Sequence, residues 1–468
     1  MLSAADNVLL TRTDRGTPMG DVFRHFWQPV ALSAELPEPD GAPLRIRVLG
    51  EDLRAFRTTD GTVGVVSPRC PHRGADLFFG RNENNAIACA YHGWKFAADG
   101  GCLAIPTMEP GPTRDQAERN VRLLAYPVRE AGGFVWVYLG PRELMPELPE
   151  LEFLALPASH VFVSKKRQES NWAQACEGGL DTAHFSFLHM AVSDAKDVTD
   201  RLMAKVSSDT DTVRWMRADG APRFTILEHP VGLVLGAARR ADGDNTYWRV
   251  SQFLMPNHGL APNAFPGENY HGQCWVPIDD VACWIYNYTW NPERPLTAAE
   301  RRRFAKGAGV HSDVDGNHVP LRQRDNDYLQ DRHKQKFETF TGIDGVSEQD
   351  AAIQESQGLI ADRTAEHLGP TDMGVIRFRR LVLAAARDMA AGTPPPAAQK
   401  ALLYRVRSGG AVAHRDVPLP DVMQARFGHV HALVQAAHAR DAAEQELPAD
   451  AAALSARAWR SNQPDARN

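Results

Sequence analysis

A chain of 468 residues with 43% hydrophobic content predicts at least one large buried core and favours two, because domains usually run to about 100–200 residues. Its net charge of −6 is spread without a basic block, which excludes the charge pattern of a nucleic-acid or anionic-membrane binder. The N-terminus lacks a signal-peptide pattern and no apolar run is long enough for a bilayer, so we expect a soluble, cytoplasmic protein. The six cysteines are too few and too scattered for a disulfide framework.

The first third of the sequence predicts β-structure. Short, alternating β-branched runs extend from Leu44 to Val66, with a hairpin signal at Asp60-Gly61, and strand-like character returns over residues 119–140. The proline-dense residues 141–157 that follow mark a boundary. We therefore predict a first, all-β domain with an N-terminal extension over residues 1–156.

The rest of the chain predicts a large antiparallel sheet flanked by helices, which makes the fold class α+β. Apolar alternation or strand-length apolar runs occupy residues 205–220, 222–256 and 272–290, and helical periodicity occupies residues 174–189, 347–369 and 374–392. We assign residues 157–400 to this second domain. Residues 401–468 are predicted as a C-terminal helical extension, with a tail that is either a surface helix or disordered.

Two Cys-His pairs stand close together in the first domain: Cys70-x-His72, sixteen residues, then Cys89-x2-His92. Zinc fingers usually supply their ligands in like pairs, whereas each pair here combines a thiol with an imidazole. A two-iron cluster explains the mixture, because one iron takes both thiolates and the other both imidazoles, as in Rieske centres. We therefore predict a Rieske [2Fe–2S] cluster, with a structural zinc site as the alternative.

The absence of two further cysteines indicates which kind of Rieske centre this is. Respiratory-type Rieske proteins carry two further cysteines in these loops, and Ala75 and Tyr91 hold those positions here. The pattern therefore indicates the centre of an oxygenase or of its ferredoxin. A ferredoxin would need little beyond the first third of the chain, which leaves some three hundred residues to explain.

A second group of chemistry-bearing residues follows the domain boundary. Glu177, Asp181 and His184 are spaced i, i+4 and i+7, so on a continuous helix they form one stripe. His189 does not join that stripe, since five residues advance a helix by roughly 140° net of full turns. His184 and His189 therefore meet at one metal only if the helix breaks between them, and two ordinary histidines at a helix end are the alternative.

Together, the Cys-His motif and the later D-x2-H-x4-H resemble the oxygenase component of Rieske non-haem iron aromatic-ring oxygenases. Residues 10–53, 171–189 and 354–364 are similar in particular to the phthalate 4,5-dioxygenase branch, which also contains O-demethylases and chlorobenzoate- or sulfonate-acting members. The likeness covers most of residues 8–385. It implies a helix-grip, START-like catalytic domain and a mononuclear Fe(II) held by two histidines and one carboxylate, which matches His184 and His189.

The third iron ligand implied by the resemblance is a carboxylate near the start of the helix at residue 347. Asp350 is our choice, because it shares a helical stripe with Ile353 and so faces the interior. Glu348 and Glu355 are the rivals. In an alternative interpretation, Ser347-x2-Asp350 is a capping-box-like helix start.

Asp181 has a different implied role. In related oxygenases this aspartate joins an iron-bound histidine to the second Rieske histidine of a neighbouring subunit, here His92. The resemblance therefore implies a homotrimer or a hexamer of stacked trimers. It also implies a separate NADH-dependent reductase, with flavin and a plant-type [2Fe–2S] centre, because the chain shows no glycine-rich nucleotide motif of its own.

The implied reaction is O2-dependent dihydroxylation of a small aromatic carboxylate of the phthalate type. An O-demethylase or monooxygenase acting on a methoxylated or chlorinated aromatic acid is the alternative, and a pure Rieske electron carrier is a weaker one. A carboxylate in an apolar pocket needs a cationic partner. Arg239, Arg240 and Arg249 lie in predicted strands, and Arg249 is our first candidate because Tyr247 shares its face.

Overall fold

The structure, a computed structural model, describes residues 1–192, 210–262, 264–265 and 267–427. The predicted C-terminal tail, from residue 428 onward, lies outside these ranges, as do the first five residues of the predicted strand segment 205–220. No helix within them is long and apolar enough to cross a membrane.

The N-terminal part folds as three small antiparallel sheets, with strand orders β1-β11-β10, β2-β3-β4-β9 and β5-β6-β7-β8. The hairpin predicted at Asp60-Gly61 is confirmed, since Gly61 has a φ of +87° and Arg57 pairs with Val63. The all-β first domain is thus observed. Its strands are β1 (Trp27–Leu32), β2 (Leu44–Val48), β3 (Glu51–Arg57), β4 (Val63–Val66), β5 (Arg81–Glu83), β6 (Ala86–Ala88), β7 (Lys95–Phe96), β8 (Cys102–Ala104), β9 (Ala125–Tyr126), β10 (Val128–Ala131) and β11 (Phe134–Tyr138).

The second part is built on an antiparallel sheet of eight strands, in the order β12-β18-β17-β16-β15-β14-β13 with β19 paired to β15. Long hairpins produce this order, since β13, β14 and β15 follow one another in sequence and pair directly. The predicted large antiparallel sheet is confirmed. Its strands are β12 (Val161–Gln168), β13 (Arg223–His229), β14 (Gly232–Arg240), β15 (Asn245–Leu254), β16 (His258–Leu260), β17 (Tyr270–Pro277), β18 (Cys283–Trp290) and β19 (Gly409–His414).

Helices surround this sheet, as predicted, and two of them carry the candidate site. The first is α4, which begins at Asn171, whose side chain accepts from the Ala173 N–H. The second is α8, which starts after Gly345. The helices are α1 (Ala4–Thr11), α2 (Pro18–Arg24), α3 (Pro112–Asn120), α4 (Trp172–Leu180), α5 (Thr210–Ala218), α6 (Ala298–Ala305), α7 (Arg332–Phe337), α8 (Val346–Ser356) and α9 (Met373–Ala390), and residues 419–427 are also helical.

Two predictions about secondary structure are wrong. Residues 210–218, predicted as a strand, form helix α5, because Thr212, Val213 and Met216 are spaced to face one side of a helix and all three are buried. The C-terminal extension was predicted to be helical, but β19 lies within it and pairs with β15 from Asn245↔His414 to Val250↔Gly409. The division of the chain at residues 156 and 400 stays a prediction.

The N-terminal helices lie against the second part of the molecule. The ring of Phe23 in α2 meets Trp172 of α4 edge-on with centroids 4.8 Å apart, and Trp172 in turn contacts Phe378 of α9. The N–H of Thr13 donates to Asp280 at 2.8 Å. The N-terminal extension therefore completes the packing around α4.

A buried ion network fixes the same helix. The carboxylate of Glu177 in α4 accepts two hydrogen bonds from Arg363 and two from Arg379, at 2.8–3.1 Å. Arg363 is fully buried and also donates to Asn7 of α1. Burial alone raises the pKa of Glu177, but the two guanidiniums outweigh it and hold this pKa below its ordinary value. The network thus joins α1, α4 and α9.

Replacing Arg363 with Met should lower the free energy of unfolding by about 3 kcal/mol, because it leaves part of a buried carboxylate charge uncompensated. Urea denaturation followed by circular dichroism measures this. The control is Arg377→Met, since Arg377 forms an exposed pair with Glu228 at 3.4 Å that is worth less than about 1 kcal/mol. Equal losses in both variants would contradict a structural role for the network.

Candidate metal centres

The two Cys-His loops of the first domain have the same backbone fold. In each, the glycine four residues after the cysteine donates its N–H to the cysteine carbonyl, Gly74 to Cys70 and Gly93 to Cys89, both at 2.9 Å. These glycines have φ of +73° and +74°, a region that side chains with a Cβ rarely adopt. Two matching tight turns therefore hold the four predicted cluster residues at one end of the domain.

Within these loops, the thiols and imidazoles occupy different environments. Cys70 and Cys89 are buried, and burial, together with the neighbouring Cys89 thiol, raises the pKa of Cys70 to about 11. His72 and His92 are partly exposed, with ring centroids 4.5 Å apart. Two buried thiols and two partly exposed imidazoles are the donor set of a Rieske cluster, in which the thiolates would hold one iron and the imidazoles the other. The residues present fit that group.

The second candidate centre gathers three residues from α8 and the segment after α4. The Nε2 atoms of His184 and His189 are 3.0 Å apart, and Asp350 Oδ1 lies 3.5 and 3.3 Å from them. Adjacent ligands about 2.1 Å from an octahedral ion are roughly 3 Å apart. In the part of the chain that the structure describes, these three residues form the one group of potential ligands for a single ion. Two imidazoles and a carboxylate on one face fit the facial triad of non-haem iron.

The two histidines meet because the helix ends before them. Helix α4 stops at Leu180, Asp181 is extended with φ −71° and ψ 131°, and His184 begins a single 3₁₀ turn. The break expected from the spacing is thus present, with no proline needed. The stripe predicted for one continuous helix is not formed, since Glu177 lies in α4 while Asp181 and His184 lie beyond its end, although all three line one cleft.

Each histidine has a second partner at its other ring nitrogen. Asp181 Oδ2 lies 3.3 Å from His184 Nδ1, and Gln349 Oε1 lies 2.6 Å from His189 Nδ1. Burial alone lowers the pKa of His184, but Asp181 outweighs it and raises this pKa overall. Gln349 was missed by sequence analysis. A single glutamine belongs to no recognisable sequence motif. The one feature that could have indicated its role is its position next to Asp350.

The rival carboxylates point elsewhere. Glu355 accepts from the backbone N–H of Glu169 at 3.0 Å and from the Tyr328 hydroxyl. Glu348 is buried, and burial outweighs the nearby Lys166 charge and raises the pKa of its carboxyl; it is not part of the group formed by His184, His189 and Asp350. The capping interpretation of Ser347 is wrong, since α8 begins after Gly345 without a side-chain cap.

The three arginine candidates separate into two kinds. Arg239 and Arg249 are almost fully buried on one face of β14 and β15, whereas the Arg240 side chain is 82% exposed and pairs with Asp219. Thr182, unnoticed in the sequence, accepts from both buried arginines: its hydroxyl from Arg249 at 2.9 Å and its carbonyl from Arg239 at 2.7 Å. Burial, with the nearby Arg249 charge, lowers the pKa of Arg239 to about 10.

These buried guanidiniums keep unused donors beside the histidines. Within the described ranges, Arg239 Nη1 and Arg249 Nη2 have no hydrogen-bond partner. The Arg249 guanidinium lies 4.3 Å from the centre of the Phe185 ring, and that ring contacts His189 at 4.6 Å between centroids. Free N–H groups in a buried setting are suited to an anionic ligand.

On its other side the triad opens to a cleft of about 540 Å³. Asp181, His184 and Asp350 line it together with Ile353, which was predicted to share a stripe with Asp350 and is 47% exposed. The stripe therefore faces this cleft and not the core. Asp181 is accessible from it to a neighbouring molecule.

Comparisons with known proteins agree with this architecture. A model of the Rieske [2Fe-2S] domain matches residues 26–127, and a model described as LigXa C-terminal domain like matches residues 137–416. The chain is 39% identical to the oxygenase subunit of 3-chlorobenzoate-3,4-dioxygenase from Comamonas testosteroni, over 86% of this chain and 93% of that one. It is 37% identical to the phthalate 4,5-dioxygenase oxygenase subunit of Pseudomonas putida, over 91% and 96%.

A third relative has a different chemistry in its name. The chain is 28% identical to the 5,5'-dehydrodivanillate O-demethylase oxygenase subunit of Sphingobium sp. (strain NBRC 103272 / SYK-6), over 85% of this chain and 83% of the relative. Similarity across nearly the full length thus extends to proteins named for dioxygenation and for O-demethylation.

Replacing Asp350 with Ala should remove most of the mononuclear iron while sparing the optical and EPR spectra of the cluster, since only the triad loses a ligand. Iron analysis beside cluster quantification measures both. The matched control is Asp362→Ala, an exposed acid at the rim of the same cleft, which should keep its iron. Full iron occupancy in the Asp350 variant would move the ligand to Glu348 or Glu355.

Proposed function

The chain belongs to the Rieske non-haem iron oxygenases, in the phthalate 4,5-dioxygenase-like branch, and from this membership we propose that it dihydroxylates a small, phthalate-like aromatic carboxylate. It is an oxidoreductase, the terminal oxygenase component of such a system, with a Rieske [2Fe–2S] cluster and a mononuclear iron. The electron-carrier and zinc-module alternatives therefore do not hold.

The observation that carries the proposed substrate is the pair of buried arginines, Arg239 and Arg249. Two cations with free N–H donors in an apolar setting are costly unless an anion compensates them. Arg239 Nη1 and Arg249 Nη2 are free to donate to a carboxylate, and charge-assisted hydrogen bonds of this kind are stronger than neutral ones. Arg249 would hold the ring's carboxylate, and Phe185 would place the ring near His184 and His189.

The chain's own residues have distinct tasks in this proposal. Cys70, His72, Cys89 and His92 hold the cluster, and His184, His189 and Asp350 hold the iron. When bound, the cluster supplies electrons and the iron supplies the site of dioxygen activation. The overall reaction adds both atoms of O2 to one ring double bond, with two electrons and two protons from NADH plus H⁺, and gives a cis-dihydrodiol and NAD⁺.

Asp181 links the two centres in this proposal. One of its carboxylate oxygens contacts His184 Nδ1, and the residue lines an open cleft. We assign it a hydrogen bond to His92 of the partner subunit, whose imidazole is partly exposed at the tip of the first domain. A head-to-tail contact of this kind closes into a ring, so we propose a trimer or stacked trimers.

The electrons in this proposal come from a separate partner protein. We propose an NADH-dependent reductase with flavin and a plant-type [2Fe–2S] centre, working with this chain in the cytoplasm. The O-demethylase relative favours a second candidate reaction. There, one oxygen atom of O2 converts an aryl methyl ether to a phenol and formaldehyde, the other leaves as water, and NADH plus H⁺ again supplies the electrons and protons.

Replacing Asp181 with Asn should leave both metal centres occupied but slow turnover by at least 100-fold, because the link between them loses its charge while its shape remains. Metal content and single-turnover oxidation of a pre-reduced cluster measure the two effects separately. Unchanged transfer between the centres would contradict the proposed link.

Replacing Arg249 with Gln should raise the KM for phthalate-like acids by 10-fold or more without lowering iron content, since the charged donor that binds the carboxylate is lost. Arg240→Gln is the matched control, because that side chain is exposed and should leave KM unchanged. Oxygen uptake with a panel of aromatic acids and neutral aryl ethers provides the measurement. Unaltered kinetics on every acid would rule the pocket out, and a preference for neutral ethers would favour O-demethylation.

A further inference from the structure

The orientation of the Gln349 side chain is fixed by two hydrogen bonds. Gln349 is buried, with 2% exposure, and its Nε2 donates to the carbonyl of Ile343 at 2.7 Å. Its Oε1 therefore faces His189 Nδ1 at 2.6 Å. A flipped amide would set its oxygen against the Ile343 carbonyl, which has no hydrogen to share.

This orientation determines the state of His189. Because the amide oxygen only accepts, His189 must carry its proton on Nδ1, and Nε2 keeps its lone pair. Nε2 is the atom that lies 3.0 Å from His184 Nε2 and 3.3 Å from Asp350 Oδ1. The ring angle and the tautomer are both set before any metal binds.

Charge explains why an amide suits this position. Gln349 stands between Glu348 and Asp350 in the first turn of α8, and the nearby buried cation is Lys166, which donates to the Ser347 carbonyl. A carboxylate at position 349 would be a third consecutive acid in a buried site. His184, by contrast, has the anionic partner Asp181.

We propose that Gln349 is a positioning residue for the iron site: it fixes the tautomer and ring angle of His189 through a neutral acceptor. The two histidines thus have different partners. His184 has the anion Asp181, which lines the cleft, and His189 has the amide Gln349, which is buried. This inference rests on the proposed function, in which His189 binds the iron.

The test compares Gln349→Leu with Gln349→Glu in the full-length protein carrying its cluster. Leucine removes the acceptor, so we expect about 10–100-fold weaker Fe(II) binding, the usual loss when the outer partner of a metal-bound histidine is removed. Glutamate keeps an acceptor for His189 Nδ1 but loses the donor to Ile343 and adds a buried charge, so it should bind Fe(II) more tightly than the leucine variant and more weakly than wild type. Mononuclear iron per subunit is measured at graded free Fe(II), with cluster EPR as the internal standard.

The controls separate positioning from general damage. Gln354 is a second buried amide on α8 whose Oε1 accepts from Gln168, so Gln354→Leu should disturb packing to a similar degree and keep iron affinity. Equal losses of Fe(II) affinity in both Gln349 variants would mean that the residue acts by holding Ile343. Unchanged Fe(II) affinity in the leucine variant would mean that it has no role at the iron site. Either outcome overturns the inference. Retention of iron by Asp350→Ala as well would instead overturn the ligand set of the proposed function.

Discussion

Two imidazoles five residues apart cannot meet on one α-helix, and the catalytic half of this protein depends on how the chain meets that constraint. Helix α4 ends at Leu180, and an extended residue and a single 3₁₀ turn bring His184 and His189 within hydrogen-bond distance of each other. Helix α4 is held from behind by the Glu177 network, which makes the end of the helix a fixed starting point.

The five residues after that helix connect every part of the proposed chemistry. Asp181 faces the cleft, Thr182 binds the two buried arginines, and His184 faces the metal position. Because the chain turns here, with Asp181 extended, Ala183 in the helical region and His184 starting a 3₁₀ turn, three different environments are reached within four residues.

The parts of the site that have a characteristic spacing were predictable from the amino-acid sequence. The Cys70/His72 and Cys89/His92 pairs are recognisable because each combines a thiol with an imidazole, whereas zinc fingers usually supply their ligands in like pairs. Helix α5 was misassigned because Thr, Val and Trp favour strands in isolation, while the burial of Val213 and Met216 is decided by tertiary contacts. Gln349 could not be predicted, since an amide acquires its role only from the two atoms it contacts.

The N-terminal helix and its binding surface are separated by most of the chain. Asn7 contacts Arg363, Asp6 contacts Arg387, and the Leu2 N–H donates to the Arg363 carbonyl. During synthesis, the apolar side chain of Leu10 therefore leaves the ribosome more than 350 residues before that surface is complete. At about 5–20 residues per second, this segment remains without its docking site for roughly 20–70 seconds, a period in which a holdase chaperone has access to it.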